Sequence, residues 1–153
     1  MERRDLGALF ALITRRLIDA ERPILAAHEL SMWEYVVLSQ LGREPAPTQL
    51  ALAQAIDYDK TRLIQLLDGL EQRGLLTRAP DPADRRARIV QLTPRGQAHL
   101  AATRADIRNM EAQLLGELSP AEQQTLLSAL PRLAQLSPGY SAPAFAKDPG
   151  FPQ

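Results

Sequence analysis

Hydrophobic residues recur at helical spacing over most of this chain and change to a strand-like spacing in one short region. The first pattern predicts a helix over about 3–21. One face of that helix carries Leu6, Leu9, Phe10, Ile13 and Leu17, and much of the other side carries Ala8, Ala11, Leu12 and Ile18. A helix that is apolar on two sides needs two packing partners, and we expect a second subunit to be one of them.

Three shorter helices are predicted next, because each apolar run is preceded by a residue that can cap a helix. The predicted caps are Ser31, which forms a capping box with Glu34, followed by Thr48 and Asp59. The helices that they begin are predicted to end near Gly42, Ile56 and Gly74. Gly74 is typical of a left-handed helix end.

The hydrophobic period changes after Gly74. Residues 75–79 and 88–92 predict two short strands, which flank a turn-rich tip at 80–87. The chain returns to helical spacing after Thr93, and a long helix is predicted over about 95–116. These patterns predict a mainly α fold with a small β-hairpin.

A last helix is predicted to open at the capping box of Ser119 and Glu122. Pro131 is expected to kink or shorten it, because proline removes a helical hydrogen bond. Residues 137–153 are rich in Pro, Gly and Ala and predict a disordered or surface-draped tail.

Composition excludes several classes of function. The chain has 153 residues, no Cys and two separated His, so disulfides, thiolate zinc sites and a histidine metal centre are not expected. No Gly-rich phosphate loop and no acid–base grouping around a His is present, so we predict neither an enzyme nor a cofactor. The N-terminus does not resemble a signal peptide and no apolar run approaches membrane length, which predicts a cytoplasmic protein.

Net charge is zero, but positive charge is concentrated locally. Six arginines lie between 73 and 95, against only Asp81 and Asp84. A local basic patch is the electrostatic signature of a DNA-binding protein, although most charged runs are simply solvated surface. The order short helix, capped helix and hairpin is also the arrangement that presents one helix to a DNA major groove. Arg62 and Gln65 suit base edges, whereas Lys60 and Thr61 suit phosphates.

Two stretches resemble the MarR family of winged helix-turn-helix regulators, over about 47–96. The first is similar to the family's reading head and runs Leu50-Ala51…Asp59-Lys60-Thr61-Arg62…Leu70-Glu71-Gln72-Arg73-Gly74-Leu75-Leu76…Arg78. The second is similar to its wing and runs Asp81-Pro82-Ala83-Asp84-Arg85-Arg86-Ala87-Arg88…Leu92-Thr93-Pro94-Arg95-Gly96. The flanking helices fit the same architecture over roughly 4–136.

The resemblance implies a homodimer whose two winged heads bind a palindromic operator in double-stranded DNA. It places the head at about 30–96 and the dimerisation helices at 3–21 and 97–136, within one domain over 1–136. Arg86 would enter the minor groove, and Asp84 would orient a neighbouring arginine. The predicted DNA-binding residues are Thr48, Gln49, Lys60, Thr61, Arg62, Gln65, Arg78, Asp84, Arg85, Arg86 and Arg88.

The resemblance also implies an effector pocket for a small aromatic or phenolic acid, whose binding would relieve repression. Arg15 lies on the second apolar side of the first helix and could clamp a carboxylate, with His28, Trp33 and Tyr35 completing the pocket. The alternatives are an inter-helix ion pair or a snorkelling charge for Arg15, and a core position for Trp33. The rival function is a winged-helix protein-interaction module that does not bind DNA.

Overall fold

A computed structural model of the chain describes residues 5–135. It contains six helices and one two-stranded antiparallel sheet among those residues, which confirms the predicted mainly α fold with a β-hairpin. The elements are α1 (Leu6–Ala27), α2 (Met32–Leu41), α3 (Gln49–Ala55), α4 (Lys60–Gln72), β1 (Leu76–Pro80), β2 (Arg88–Leu92), α5 (Pro94–Leu115) and α6 (Pro120–Ala134). The predicted tail, 137–153, lies outside the described residues.

Each helix start that was predicted from a capping residue is present. The Ser31 hydroxyl accepts a hydrogen bond from the Glu34 N–H at 3.1 Å, and the Glu34 carboxylate accepts one from the Ser31 N–H at 2.7 Å. Thr48 and Asp59 cap α3 and α4 in the same way, each at 2.9 Å. A second capping box begins α6 at Ser119. These bonds satisfy backbone donors that a helix leaves free at its N-terminus.

Three helices end in the same left-handed turn. After α4, Gly74 has φ +72°, and the N–H of Leu75 donates to the carbonyl of Leu70 at 3.0 Å. This hydrogen bond defines a Schellman motif, and the positive φ of Gly74 confirms the predicted left-handed helix end. The ends of α1 and α3 use the same motif with non-glycine residues, Glu29 at φ 54° and Asp57 at φ 52°.

The predicted end of the first helix is wrong. The helix was expected to end near residue 21, before Pro23, but α1 continues through Pro23 to Ala27. Proline in a helix interior costs about 3 kcal/mol, so the continuation must be stabilised by packing. Leu25, 2% exposed, joins the core and provides that packing. Pro131 likewise lies inside α6 and does not end it.

The hairpin pairs Leu76 with Leu92 and Pro80 with Arg88, so β1 begins one residue later than predicted. A short bridge between Ala46 and Val90 extends it, with hydrogen bonds of 2.8 and 2.9 Å in both directions. No local pattern predicts this bridge, because Pro45 and Pro47 flank Ala46 and are typical of a loop. The bridge holds the hairpin against the segment that leads into α3.

The contacts divide the chain into two units, Met1–Ala112 and Gln113–Gln153. The first contains the core, to which α1, α2, α3, α4, the hairpin and α5 all contribute. Its fully buried side chains include Val37, Leu38, Leu52, Leu63, Leu67, Leu70, Leu75, Leu76 and Val90. The described part of the second unit contains the end of α5 and the amphipathic α6, which has no buried residue. No helix within 5–135 is long and apolar enough to cross a membrane.

Candidate nucleic-acid interface

Helix α4 has one apolar and one polar side. Leu63, Leu67 and Leu70 are buried at the helical spacing that the sequence predicted. The first turns of the opposite side carry exposed Lys60, Thr61, Arg62 and Gln65. Because Asp59 caps the helix through the N–H of Arg62 at 2.9 Å, this polar end is a regular helical turn. These four predicted contact residues therefore lie together on the exposed start of one helix.

The wing tip is shaped by two aspartates. The Asp81 carboxylate accepts a hydrogen bond from the N–H of Ala83, and the Asp84 carboxylate accepts one from the N–H of Arg86, both at 2.9 Å. Such bonds replace backbone hydrogen bonds in a tight turn. Asp84 therefore holds the backbone at Arg86, while its predicted role of orienting a neighbouring arginine side chain stays a prediction.

The arginines of the wing are exposed. Arg85, Arg86 and Arg88 each present a guanidinium that has no ion-pair or hydrogen-bond partner within residues 5–135. A solvated cation of this kind is free to pair with an external anion such as a DNA phosphate. The structure thus brings three predicted wing residues together, Arg85 and Arg86 in the accessible turn and Arg88 at the start of β2.

Arg78, which was also predicted to contact DNA, has a different environment. Its Nη2 donates to Asp68 at 2.6 Å and to Glu71 at 3.2 Å, and its Nε donates to Glu71 at 3.3 Å. Its Nη1 donates to Gln49 Oε1 at 3.2 Å, and its backbone N–H donates to Glu71 at 2.9 Å. Only 17% of the side chain is exposed. The prediction that Arg78 contacts DNA stays a prediction.

The same contacts change the acidity of Glu71. Hydrogen bonds from the Arg78 side chain lower the pKa of the Glu71 carboxyl, partly offset by burial. Those bonds to Glu71 also raise the pKa of Arg78 above its ordinary value. Both groups are therefore charged over the whole neutral range. Beside them, an open polar cleft of about 270 Å³ is lined by Gln49, Glu71, Arg78 and Arg88.

The predicted ligand residues are not assembled within the first unit. Arg15 and His28 both belong to the α1 segment and lie about 20 Å apart along the helix axis, given a rise of 1.5 Å per residue. Arg15 is exposed and has no partner within 5–135, so the predicted alternative of an inter-helix ion pair is not seen for it. One small acid cannot contact both residues of the same chain.

His28, Trp33 and Tyr35 have structural contacts instead. His28 Nε2 lies 2.6 Å from Asp106 Oδ2, and its carbonyl lies 2.8 Å from His99 Nε2. The two histidines, which the sequence suggested were isolated, are therefore neighbours. Tyr35 packs against the core. Trp33 stacks on Tyr58 with ring centroids 4.3 Å apart. No group of three or more potential metal ligands occurs in the described part of the chain.

Sequence reasoning missed four residues at these contacts. Asp68 and Glu71 have helical i, i+3 spacing, which places both on one face of α4, but nothing in the sequence aligns that face with Arg78. Tyr58 and Asp106 likewise meet Trp33 and His28 only through tertiary packing.

Comparison with known proteins decides the family. The MarR family model matches residues 28–87. Transcriptional regulator HosA of Escherichia coli O111:H- is 33% identical over 105 residues, which cover 69% of this chain and 78% of HosA. This chain belongs to the MarR family. Because the members are transcriptional regulators, membership confirms the prediction that the chain is not an enzyme.

A second relative comes from Thauera aromatica and is described as a transcriptional regulatory protein for the hcr operon. It is 33% identical over 99 residues, covering 65% of this chain and 60% of that protein. The match therefore spans less than two thirds of this relative's length.

Solved structures confirm the MarR fold. The transcriptional repressor CouR, bound to a 23-mer DNA duplex, aligns at a TM-score of 0.72 and 27% identity, covering 88% of this chain and 100% of CouR. The Mycobacterium tuberculosis MarR family protein RV2887, in complex with p-aminosalicylic acid, aligns at a TM-score of 0.73 and 23% identity. That alignment covers 86% of this chain and 100% of RV2887.

Proposed function

We propose that this MarR-family regulator binds a palindromic operator as a homodimer and represses transcription until a small aromatic acid releases it. The proposal rests on two exposed cationic surfaces that the same chain presents. One is the start of α4 and the other is the wing tip, and both present side chains without intramolecular partners. The likeness to a DNA-bound repressor supports the same function.

The side chains of the proposed interface fall into two groups, those that contact bases and those that contact phosphates. In the proposed complex Arg62 and Gln65 contact base edges in the major groove, because Arg suits guanine and Gln suits adenine. Lys60 and Thr61 contact phosphates. Arg86 enters the minor groove, where a narrow A·T-rich segment attracts a guanidinium.

The proposed dimer buries the N-terminal half of α1. Five apolar side chains there are exposed in the single chain: Leu6 (62%), Leu9 (37%), Phe10 (40%), Leu12 (40%) and Ile13 (47%). A contiguous apolar surface of this kind marks an interaction site. Ile13→Glu should shift the sedimentation-equilibrium mass from twice the chain mass towards one chain. A wild-type protein that sediments as a monomer at all concentrations would contradict the dimer.

The effector is proposed to pair its carboxylate with Arg15. That guanidinium is exposed and unpartnered within 5–135, and a bidentate pair with a carboxylate is its strongest available contact. A protein of the same fold carries p-aminosalicylic acid, which has this chemistry. His28 of the same chain lies about 20 Å from Arg15 along the helix axis, which is too far for both to contact one small acid. Release requires that the acid bind the DNA-incompetent geometry more tightly.

The first test is selection of binding sites from a random-sequence duplex library by the purified full-length protein. The proposal predicts one enriched palindrome, with half-sites about one helical turn apart. Its affinity should fall steeply with salt, since phosphate contacts release counterions. Failure to enrich any sequence at low salt would favour the protein-interaction module instead.

The second test concerns the effector. 4-Hydroxybenzoate and p-aminosalicylate are titrated against the protein bound to the selected duplex, with Arg15→Ala and its neighbour Arg16→Ala as matched variants. Arg16 is also exposed and unpartnered within 5–135. The proposal predicts that Arg15→Ala alone abolishes release by the acids. Equal responses in both variants would remove Arg15 from the proposed site.

A further inference from the structure

We propose that Arg78 is a positioning residue, which does not contact DNA but locks the recognition helix α4 to the wing strand β1 and to helix α3. This inference rests on the proposed DNA-binding function and goes beyond it, because it assigns a residue of the basic patch to a different task. Arg78 thereby joins the recognition helix α4 to one strand of the hairpin whose tip carries the wing arginines.

Almost all of the N–H groups of the Arg78 guanidinium donate hydrogen bonds. Nε, Nη1 and Nη2 all donate, to two side chains of α4 and one of α3, at distances of 2.6–3.3 Å. The backbone N–H of Arg78 adds a bond to Glu71, so strand and side chain are fixed together. A rigid planar fork can hold several acceptors in fixed directions, which a lysine ammonium cannot.

The charge around Arg78 is unsuited to a phosphate. The guanidinium contributes +1, and Asp68 and Glu71 contribute −1 each, so this cluster carries a net charge of −1. An incoming phosphate would be repelled by the two carboxylates and would have to displace them. Arg85, Arg86 and Arg88 have no such carboxylate partners within 5–135.

The bond to Gln49 fixes which way its amide faces. Arginine only donates, so the atom of Gln49 that faces Arg78 must be the carbonyl oxygen. The NH₂ group is then the free end of the amide, beside the cleft that Arg88 also lines. A fixed donor at the start of α3 suits a phosphate oxygen. Arg78 thus acts on DNA through Gln49 and through the orientation of α4.

The decisive variant is Glu71→Gln, matched with Glu44→Gln. Both remove one negative charge, and Glu44 is exposed with no side-chain partner within 5–135. If charge alone mattered, both variants would bind the selected duplex more tightly. A glutamine at 71 cannot accept from Arg78 on both its terminal atoms, so positioning predicts that Glu71→Gln binds about tenfold more weakly. Binding by Glu71→Gln at or above the wild-type affinity would overturn the inference.

A second variant, Arg78→Lys, keeps the charge and loses the fork. We expect at least about tenfold weaker binding to the selected duplex, little change on a shuffled duplex and the wild-type salt slope. Wild-type affinity for the selected duplex would show that charge at 78 suffices. Arg78→Ala tests for a direct phosphate contact, because losing such a contact lowers the slope of log binding constant against log salt concentration by about one. A slope lowered by one, with equal losses on both duplexes, would make Arg78 a DNA contact.

Thermal unfolding of each variant separates loss of folding from loss of positioning. Positioning predicts that Glu71→Gln unfolds cooperatively and still binds the shuffled duplex. A wild-type protein that selects no sequence would overturn the proposed function and this inference together. A wild-type protein that selects a site, with Glu71→Gln and Arg78→Lys unchanged, would overturn this inference alone.

Discussion

Gly96 lies in the first turn of α5, where the helix backbone passes against the carbonyl group of Leu75. A Cβ at this position would lie 1.8 Å from that oxygen, so an alanine must displace the backbone. We expect Gly96→Ala to lower the free energy of unfolding by about 3 kcal/mol, measured by urea denaturation. Gly69→Ala is the control, since no atom lies within 4 Å of its Cβ position. It should be stabilised by roughly 0.5–1 kcal/mol, and equal stability of the two variants would contradict the close approach.

Arg62 and Arg86 have different proposed roles, so substituting them should change the DNA sequence preference in different ways. Arg62→Ala is expected to relax base preference at one major-groove position, at a cost of about 1–3 kcal/mol for that base pair. Arg86→Ala is expected to flatten preference at the A·T-rich flanks. Competition binding against operator variants measures both. Equal, sequence-independent losses would mean that neither residue reads sequence.

At the residue scale, the sequence predicted which side chains are exposed more accurately than which side chains contact one another. Arg62, Gln65 and Arg86 are exposed as expected, because helical spacing and turn residues determine which side faces solvent. The partners of Arg78 were not predictable. They depend on how β1 lies against α4, which no local pattern encodes.

The recognition helix depends on its cap. The Asp59 carboxylate accepts from the N–H of Arg62, so Asp59→Ala leaves that donor without a side-chain acceptor. We expect a loss of about 1 kcal/mol in unfolding free energy and weaker operator binding, because the first turn of α4 carries the proposed base contacts. Asp59→Asn keeps a capping oxygen and should retain most of the stability. A similar loss in both variants would show that the charge, and not the cap, matters.

At the scale of the secondary-structure elements, the starts of the capped helices were predictable from the sequence, but the end of α1 was not. Ser31, Thr48, Asp59 and Ser119 all cap as expected, since a cap is a bond between residues three apart in sequence. The end of α1 was misplaced because burial of Leu25 outweighs the local effect of Pro23. The bridge at Ala46 was missed because it exists only through its distant partner, Val90.

At the scale of the whole molecule, a pair of carboxylates brings α1 and α5 into electrostatic contact. Burial raises the pKa of Glu21, and the nearby charge of Glu111 on α5 raises it further. An acid whose pKa is raised on folding releases its proton first in the unfolded chain. Stability is therefore lost as pH rises from the ordinary value of about 4.3 through the folded pKa.

The Glu21→Gln substitution removes this loss of stability at higher pH, because glutamine does not ionise. The variant should unfold at a higher temperature than the wild type at pH 7, and the difference should shrink as the pH falls below about 4, where Glu21 is mostly protonated in both the folded and the unfolded chain. Thermal melts over this range measure it, with the exposed Glu44→Gln as the matched control. A Glu21→Gln protein that is less stable at pH 7 would indicate that the carboxylate has a favourable partner in the assembled protein.

The dimer was predicted from the two apolar sides of the first helix and from the resemblance, and the effector site was predicted from the resemblance; both stay predictions. The apolar start of α1 is exposed in the single chain. The separation of Arg15 from His28 follows from the continuous α1, which runs past the predicted end near residue 21.

A hydroxyl-radical footprint on the selected duplex shows whether a dimer reads DNA with its helices and wings, because the radical reports protection of the minor groove. We expect two symmetric protected patches flanking the half-sites, one for each wing, and their specific loss in Arg86→Ala. A single asymmetric patch, or an unchanged footprint in Arg86→Ala, would contradict a dimer that reads DNA with its helices and wings.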